Sequence, residues 1–288
     1  MMCDQDHYEE DRVEYERRGL VTRREFGVML GGAGMMMLLP PVANAQAVAE
    51  RDVTIKTADG NADAYFVYPA KGAAAGVLFW PDIFGLRPAT RQMGKRLAES
   101  GYSVLVVNPF YRQKKSPVAE NASSAVVKEL MPLMQALTET THMSDARDFI
   151  GWLDQQPEVN KNRKIGTQGY CMGGPITFRT AAAVPDRVGA VAAFHPGALV
   201  TDAPNSPHLQ AARSKAQFLV CLGDNDDKQR PKEKDVLRET FQKAGLKLEV
   251  EVYMAAHGWC PPDTQMYNAQ ESQRAWDRLL ATYKQALA

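Results

Sequence analysis

Lys164-Ile165-Gly166-Thr167-Gln168-Gly169-Tyr170-Cys171-Met172-Gly173-Gly174 runs from a strand-like segment into a turn flanked by glycines. The helix-like stretch Ile176-Thr177-Phe178-Arg179-Thr180-Ala181-Ala182-Ala183 follows it. The turn has the form Gly-x-nucleophile-x-Gly, with cysteine in the central place. A strand that bends sharply into a helix needs residues without a Cβ on either side of the bend. The bend lifts the central side chain above the sheet, at the positive end of the helix. A thiol held there is expected to be exposed and biased toward thiolate. If it is a nucleophile, the rest of the chain must supply a histidine, a carboxylate and a hole for an oxyanion.

Outward from this turn, short apolar strands alternate with helical segments. On the N-terminal side, residues 51–57 and 62–68 alternate apolar and polar around Ala58-Asp59-Gly60-Asn61 and predict an antiparallel hairpin. Val77-Leu78-Phe79-Trp80 is a fully apolar strand ended by Pro81-Asp82-Ile83-Phe84-Gly85. A helix from Ala89 to Ser100 is closed by Gly101. Ser103–Val107 is a buried strand ending at Asn108-Pro109-Phe110-Tyr111-Arg112. Helical segments are expected near 125–138 and 144–155.

On the C-terminal side, Val188–Phe194 ends at His195-Pro196-Gly197, and Phe218–Leu222 ends at Gly223-Asp224-Asn225-Asp226-Asp227. A helix around Lys232–Ala244, a strand Lys247–Tyr253, the loop Met254–Pro262 and a helix from Gln265 complete the pattern. This alternation predicts an α/β fold with a mostly parallel sheet covered by helices on both faces. No internal repeat and no linker follow residue 50, so residues 46–288 read as one domain.

In such a sheet, reactive groups sit on loops at the C-terminal ends of strands. Cys171, the acidic cluster after Phe218–Leu222, and His257 after Lys247–Tyr253 all fall there. Their chain order is nucleophile, acid, histidine. A thiol attacks as thiolate, an imidazole takes its proton, and a carboxylate holds the imidazole tautomer. The backbone N–H groups of Met172 and Ile83 are the natural oxyanion donors; Pro81 has none to give. Among Asp224, Asp226 and Asp227, spacing from Gly223 favours Asp226. His195 is expected to line the pocket, and His142 and His208 to be surface or cap residues. Cys221 reads as core. Cys260, three residues after His257, reads as a loop cysteine rather than half of a metal site, within reach of a disulfide to Cys171. Trp80, Phe84, Phe110, Tyr111 and Trp259 are as consistent with pocket walls as with core packing. No metal or cofactor is required by this chemistry.

Across most of residues 52–285 the chain resembles the dienelactone hydrolase (carboxymethylenebutenolidase) family of the α/β-hydrolase superfamily. The resemblance rests on Pro81-Asp82-Ile83-Phe84-Gly85, Asn108-Pro109-Phe110-Tyr111-Arg112-Gln113, Gly169-Tyr170-Cys171-Met172-Gly173-Gly174, Gly223-x-x-Asp226 and His257-Gly258-Trp259. It implies Cys171 as nucleophile, Asp226 as orienting acid and His257 as base, acting on a small ester or lactone through a thioester. It also implies that Asp82 stands for a family glutamate near the resting thiol, and Arg112 for an arginine that binds the substrate carboxylate. A second such arginine of the family falls here on Pro261. The rival expectations are a non-hydrolytic ligand-binding or redox-responsive thiol protein on the same fold, and a thioesterase or peptidase with the same triad.

The first 45 residues read as a separate device. Thr22-Arg23-Arg24-Glu25-Phe26 is a twin-arginine pattern, followed by a mildly apolar run to Leu39 and a small-x-small site at Ala43-Asn44-Ala45. The apolar run falls short of the roughly 20 residues that span a bilayer. The expectation is an export leader, handed to twin-arginine machinery through residues 22–45 and cleaved after Ala45. The product would be periplasmic or extracellular, without a lasting membrane anchor. The 288-residue chain has a formal net charge of zero. That offers no electrostatic footprint for nucleic acid.

Overall fold

The computed structural model describes residues 5–21, 27–29 and 35–288, with side chains from 10 to 21 and from 38 onward. Arg23 and Arg24 of the twin-arginine pattern lie outside the described residues. The chain opens with helix α1 (Gln5–Arg17) and a short antiparallel pair, β1 (Gly27–Met29) and β2 (Met35–Met37). None of the described helices is long and apolar enough to cross a membrane.

Two long strands, β3 (Val48–Thr57) and β4 (Gly60–Pro69), form the expected hairpin, paired from Val48 with Pro69 to Thr57 with Gly60. Next come β5 (Ala75–Trp80), α2 (Pro88–Glu99) and β6 (Tyr102–Val107), whose strand residues are all buried. A 3-10 turn (Ser124–Val126), α3 (Val127–Gln135) and α4 (Glu139–Leu153) lead to β7 (Ile165–Tyr170) and α5 (Gly173–Ala183). The chain ends with β8 (Val188–Phe194), α6 (Pro207–Ala211), β9 (Gln217–Gly223), α7 (Asp224–Gln229), α8 (Glu233–Lys243), β10 (Leu248–Tyr253) and α9 (Ala269–Ala286).

The strands form one eight-stranded sheet in the order β10-β9-β8-β7-β5-β6-β4-β3. Pairing is parallel from β10 through to β6 and antiparallel at β6–β4–β3. Because β5 pairs with β6 on one side and β7 on the other, the chain reverses direction across the sheet at the β5/β7 boundary. Loops leaving neighbouring strands in opposite directions open a crevice at such a point. The crevice places the loop after β5 beside Cys171.

Helices α4, α5 and α8 bury Phe149, Phe178 and Phe241 against one face of the sheet. On the other face, α2 and α9 bury Leu97, Leu279 and Tyr283. A third cluster, built from Ile83, Phe84, Phe110, Val118, Ala122, Val127, Leu130, Cys171 and Met172, sits over the strand ends.

Helix boundaries differ from expectation where side chains cap the backbone. α4 starts at Glu139 because the Thr138 hydroxyl accepts the Thr141 N–H while the Thr141 hydroxyl accepts that of Thr138. α9 starts at Ala269 because the Asn268 side chain accepts the Glu271 N–H at 2.9 Å. The acidic run 224–229 is a short helix, not an open turn.

His142 and His208 are not surface residues. Both are buried, at 8% and 5% exposure. His208 Nδ1 pairs with the Ser206 hydroxyl at 2.7 Å. Arg179 Nη1 on α5 donates to His142 Nδ1 at 2.9 Å. A guanidinium only donates, so His142 carries its proton on Nε2 and is neutral. Burial, with the Arg179 and Arg112 charges behind it, pushes its pKa down to about 3. Between the ordinary imidazole pKa near 6.5 and about 3, the unfolded chain binds a proton that the folded chain refuses. Stability from this group is therefore present above about pH 6.5 and lost as pH falls, at about 1.4 kcal/mol per pH unit. His142→Gln keeps an acceptor for Arg179 and does not titrate. Urea unfolding between pH 7.5 and 5 should show the variant losing about 2 kcal/mol less than the unmodified chain over that range.

Candidate active site

Backbone sterics build the turn at Cys171. A Cβ on Gly169 would lie 2.3 Å from the Gly173 carbonyl oxygen, and one on Gly173 would lie 2.5 Å from the Trp80 carbonyl oxygen. No side chain fits at either place, so the strand, the turn and the loop after β5 meet backbone to backbone. Cys171 itself takes φ of 50°. That is a left-handed conformation rare for a residue with a Cβ, and it stands at the N-terminus of α5 as a nucleophile turn requires. Ile83 and Met172 lie in the same buried cluster as Cys171. The backbone N–H of neither donates to a protein acceptor among the described residues. The expected exposure of the thiol is corrected: Cys171 is 7% exposed, inside the cluster over the strand ends.

The carboxylate and the histidine meet directly. Asp226, at the start of α7, is 2% exposed, and both its oxygens lie 3.0 Å from His257 Nδ1. The neighbouring acids are committed elsewhere. Asp224 is bonded by Tyr15, Arg18 and Lys228, and Asp227 by Lys234. Asn225 ties the two loops together: its side-chain oxygen accepts the backbone N–H of Asp226 at 3.0 Å and that of His257 at 2.8 Å. The loop after β8 joins this pair to the nucleophile turn. Cys171 N–H donates to the Phe194 carbonyl and Gly197 N–H to the Cys171 carbonyl, while the His195 ring stands 5.0 Å from that of His257.

His195 is fully buried with φ of 35°, and neither ring nitrogen has a protein partner. Burial, and then the charge His257 would carry, hold its pKa well below the usual value, so it stays neutral. The other two described cysteines do not pair with Cys171. Cys221 and Cys260 are free and buried, and burial pushes both thiols up, away from thiolate. Cys260 packs on the α9 side of the sheet with Tyr170 and Leu279, in a different cluster from Cys171, which rules out the expected disulfide reach.

The accessory residues are engaged by other side chains of the protein. Asp82 accepts Arg87 at both oxygens, at 2.7 and 3.0 Å, as well as the Phe84 N–H. Arg87, 1% exposed, also grips Asp263 at 2.6 and 2.9 Å. Burial works against its charge, and the two carboxylates overcome it and keep the guanidinium protonated. Arg112 donates to Asp145 through both terminal nitrogens and to Asp59 through Nε and Nη2, so most of its donors are occupied. The Tyr111 hydroxyl donates to the same Asp145 at 2.8 Å. Trp259 is wholly buried, stacked on Tyr253 at 4.8 Å and 6.0 Å from the His195 ring, so it is core rather than an open wall. Sequence reasoning missed Arg87, Asp145, Asn225 and Asp263. The only signal for Arg87 was an arginine immediately before a helix-starting proline.

The dienelactone hydrolase family profile matches residues 62–287. The chain belongs to the dienelactone hydrolase family. A relative from Methylorubrum extorquens is 27% identical over 265 residues, covering 88% of this chain and 89% of its own. A carboxymethylenebutenolidase from Rhodococcus opacus is 26% identical over 183 residues, covering 63% of this chain and 68% of its own. In structure, the dienelactone hydrolase-like promiscuous phosphotriesterase P91 from metagenomic libraries is similar with a TM-score of 0.70 and 20% identity. That match covers 84% of this chain and 100% of P91, and supports the fold. The protein is therefore a hydrolase of dienelactone hydrolase type, on an α/β-hydrolase fold.

Arg87 should hold the loop under the cleft. Arg87→Met strands the buried Asp82 and leaves the partly exposed Asp263 unpaired, and should cost about 3 kcal/mol in urea unfolding. Arg87→Lys cannot grip both carboxylates in two-point fashion and should recover less than half of that loss.

Proposed function

We propose that the protein hydrolyses small esters or lactones through a Cys171–His257–Asp226 triad and a thioester intermediate. The observation that carries this is the 3.0 Å contact of both Asp226 oxygens with His257 Nδ1, beside a cysteine held at φ of 50° on a nucleophile turn. With Asp226 accepting, Nδ1 keeps its hydrogen and Nε2 is the basic nitrogen. His257 Nε2 takes the thiol proton as Cys171 Sγ attacks the carbonyl carbon. The developing oxyanion is received by the N–H groups of Met172 and Ile83. Collapse breaks the C–O bond, and His257 returns the proton to the leaving oxygen. Water then adds to the thioester, giving its proton to His257, and the second collapse releases the acid and restores the thiol.

The structure supports this hydrolytic reading over a redox one, because Cys221 and Cys260 are buried thiols held protonated in a different cluster from Cys171. Arg112 is largely occupied by Asp145 and Asp59, and Pro261 offers no cation. Both features favour uncharged substrates over carboxylate-bearing ones.

Cys171→Ala and His257→Ala should each lower kcat on p-nitrophenyl acetate by about a thousand-fold or more, and Asp226→Asn by about a hundred-fold or more. Brief exposure to ester should leave an acyl adduct on the Cys171 peptide by mass spectrometry. Turnover unchanged in the alanine variants would sink the triad.

We further propose that residues 1–45 direct export of the chain and are removed after Ala45. The reading is supported by the Arg23-Arg24 pattern, the glycine-containing apolar run and the Ala43-Asn44-Ala45 site. N-terminal sequencing of the protein from the periplasmic fraction should begin at Gln46. A cytoplasmic product beginning at Met1 would count against it.

A further inference from the structure

The segment ahead of the twin-arginine pattern is docked on the catalytic loops. Asp11, Tyr15 and Arg18 are spaced four and three residues apart and share one face of α1 and its C-terminal end. Tyr15 is 1% exposed, and its hydroxyl donates to Asp224 Oδ2 at 2.7 Å. Arg18 meets the same oxygen at 3.3 Å. The Asn225 side-chain amide donates to Asp11 at 2.6 Å, and the Asn268 amide donates to the Leu20 carbonyl at 2.6 Å. Tyr15, Leu20 and Val21 pack with Ala256 and Met266. The helix thus touches both residues that precede Asp226, and the residue that precedes His257.

Its reach continues across the cleft. α1 also neighbours the 3-10 turn Ser124–Val126. Residues on either side of that turn, Ala122, Val127 and Leu130, belong to the cluster that encloses Cys171 and Met172. One helix therefore lies between the acid–base loops on one side and the wall over the nucleophile on the other. The outer face of α1 is solvent-facing, with Val13 at 58% exposure. Cys171, inside the cluster that the 3-10 turn adjoins, keeps only 7%.

We propose that α1 is an inhibitory strap: while the leader is attached it closes the mouth over Cys171, and its departure with the leader opens the site to substrate. The proposal rests on the export reading given above for its timing, and on the contacts of α1 for its effect. The surface it covers, made by Asp224, Asn225, Ala256, Met266 and Asn268, is fitted to this chain's own residues 11–21: an acidic group for a tyrosine hydroxyl and an arginine, an amide for an aspartate, and an apolar floor for the ring.

The test uses the full chain with weakened straps. In Asp11→Ala/Tyr15→Ala, the rate of iodoacetamide alkylation at Cys171, read on its peptide by mass spectrometry, should rise about ten-fold. Turnover of p-nitrophenyl acetate per KM should rise with it. Val13→Ala, on the outer face, should match the unmodified chain in both. Circular dichroism melting establishes that each variant is folded.

A second measurement needs no substitution. Amide exchange across residues 10–21 in the unmodified chain should quicken after a bulky iodoacetamide conjugate occupies Cys171, because the helix must lift to admit it. Alkylation unchanged or slowed in the folded double variant, or exchange unaffected by the conjugate, overturns the strap. Faster alkylation without turnover in any variant leaves the strap standing and removes the hydrolase reading; turnover with unresponsive alkylation does the reverse.

Discussion

Backbone packed against backbone at the β5/β7 boundary sets where Cys171 can stand. Gly173 lies so close to the Trp80 and Pro81 carbonyls that a single Cβ would force them apart. That closeness brings the end of α5 against the loop after β5. As a result, Cys171, Met172 and Ile83 share one buried cluster rather than facing separate solvent. The contact is also a reason for the strain at Cys171. A turn with glycine on both sides can tighten until its central residue is forced to positive φ, and the rest of the sheet holds it there. A relaxed turn would lower that local cost and lose the alignment.

Support for the acid–base pair is of a different kind. Asp226 and His257 come from different strands, and their loops are joined by the side-chain oxygen of Asn225, which accepts from both backbones. An amide can do this where a carboxylate would do it badly, because its other end still carries two N–H donors, one of which meets Asp11. A charged group at that place would put a second anion beside Asp226. The arrangement leaves Asp226 to the histidine and supplies the order between the two loops through the Asn225 amide.

Much of the frame was legible in the chain. Fully apolar strands such as Ala75–Trp80 and Val188–Phe194 are buried on both faces, and composition alone marks them to within a residue or two. The tight turn at Cys171 was legible because its glycines answer a steric demand that no other residue meets. The electrostatic partners were not. Arg87 and Asp263 lie 176 positions apart, and Arg112 and Asp145 lie 33 apart. Nothing local in a sequence says which arginine will face which acid. The same holds for burial of polar residues. His142 looked like a surface histidine because its neighbours on α4 are polar, and it is buried because Arg179 on α5 reaches across to it. The separation of Cys260 from Cys171 likewise follows from which side of the sheet each loop falls on, a property of topology and not of spacing.

The occupied state of Arg112 bears on how this cleft selects substrates. A guanidinium that already satisfies two carboxylates must release one of them before it can take a third, and Asp145 is 2% exposed, so releasing it would leave a buried charge unpaired. An anionic substrate would have to displace the exposed Asp59 or strand the buried Asp145, while an uncharged ester makes neither demand. With Pro261 unable to supply a second cation, the electrostatic argument and the sequence departure point the same way. The chemistry proposed at the thiol would then take place in a pocket whose fixed charges are spent on the scaffold. Selection in this protein would then come from shape and apolar contact around Phe84, Phe110 and Met172, residues that enclose Cys171 without offering charge.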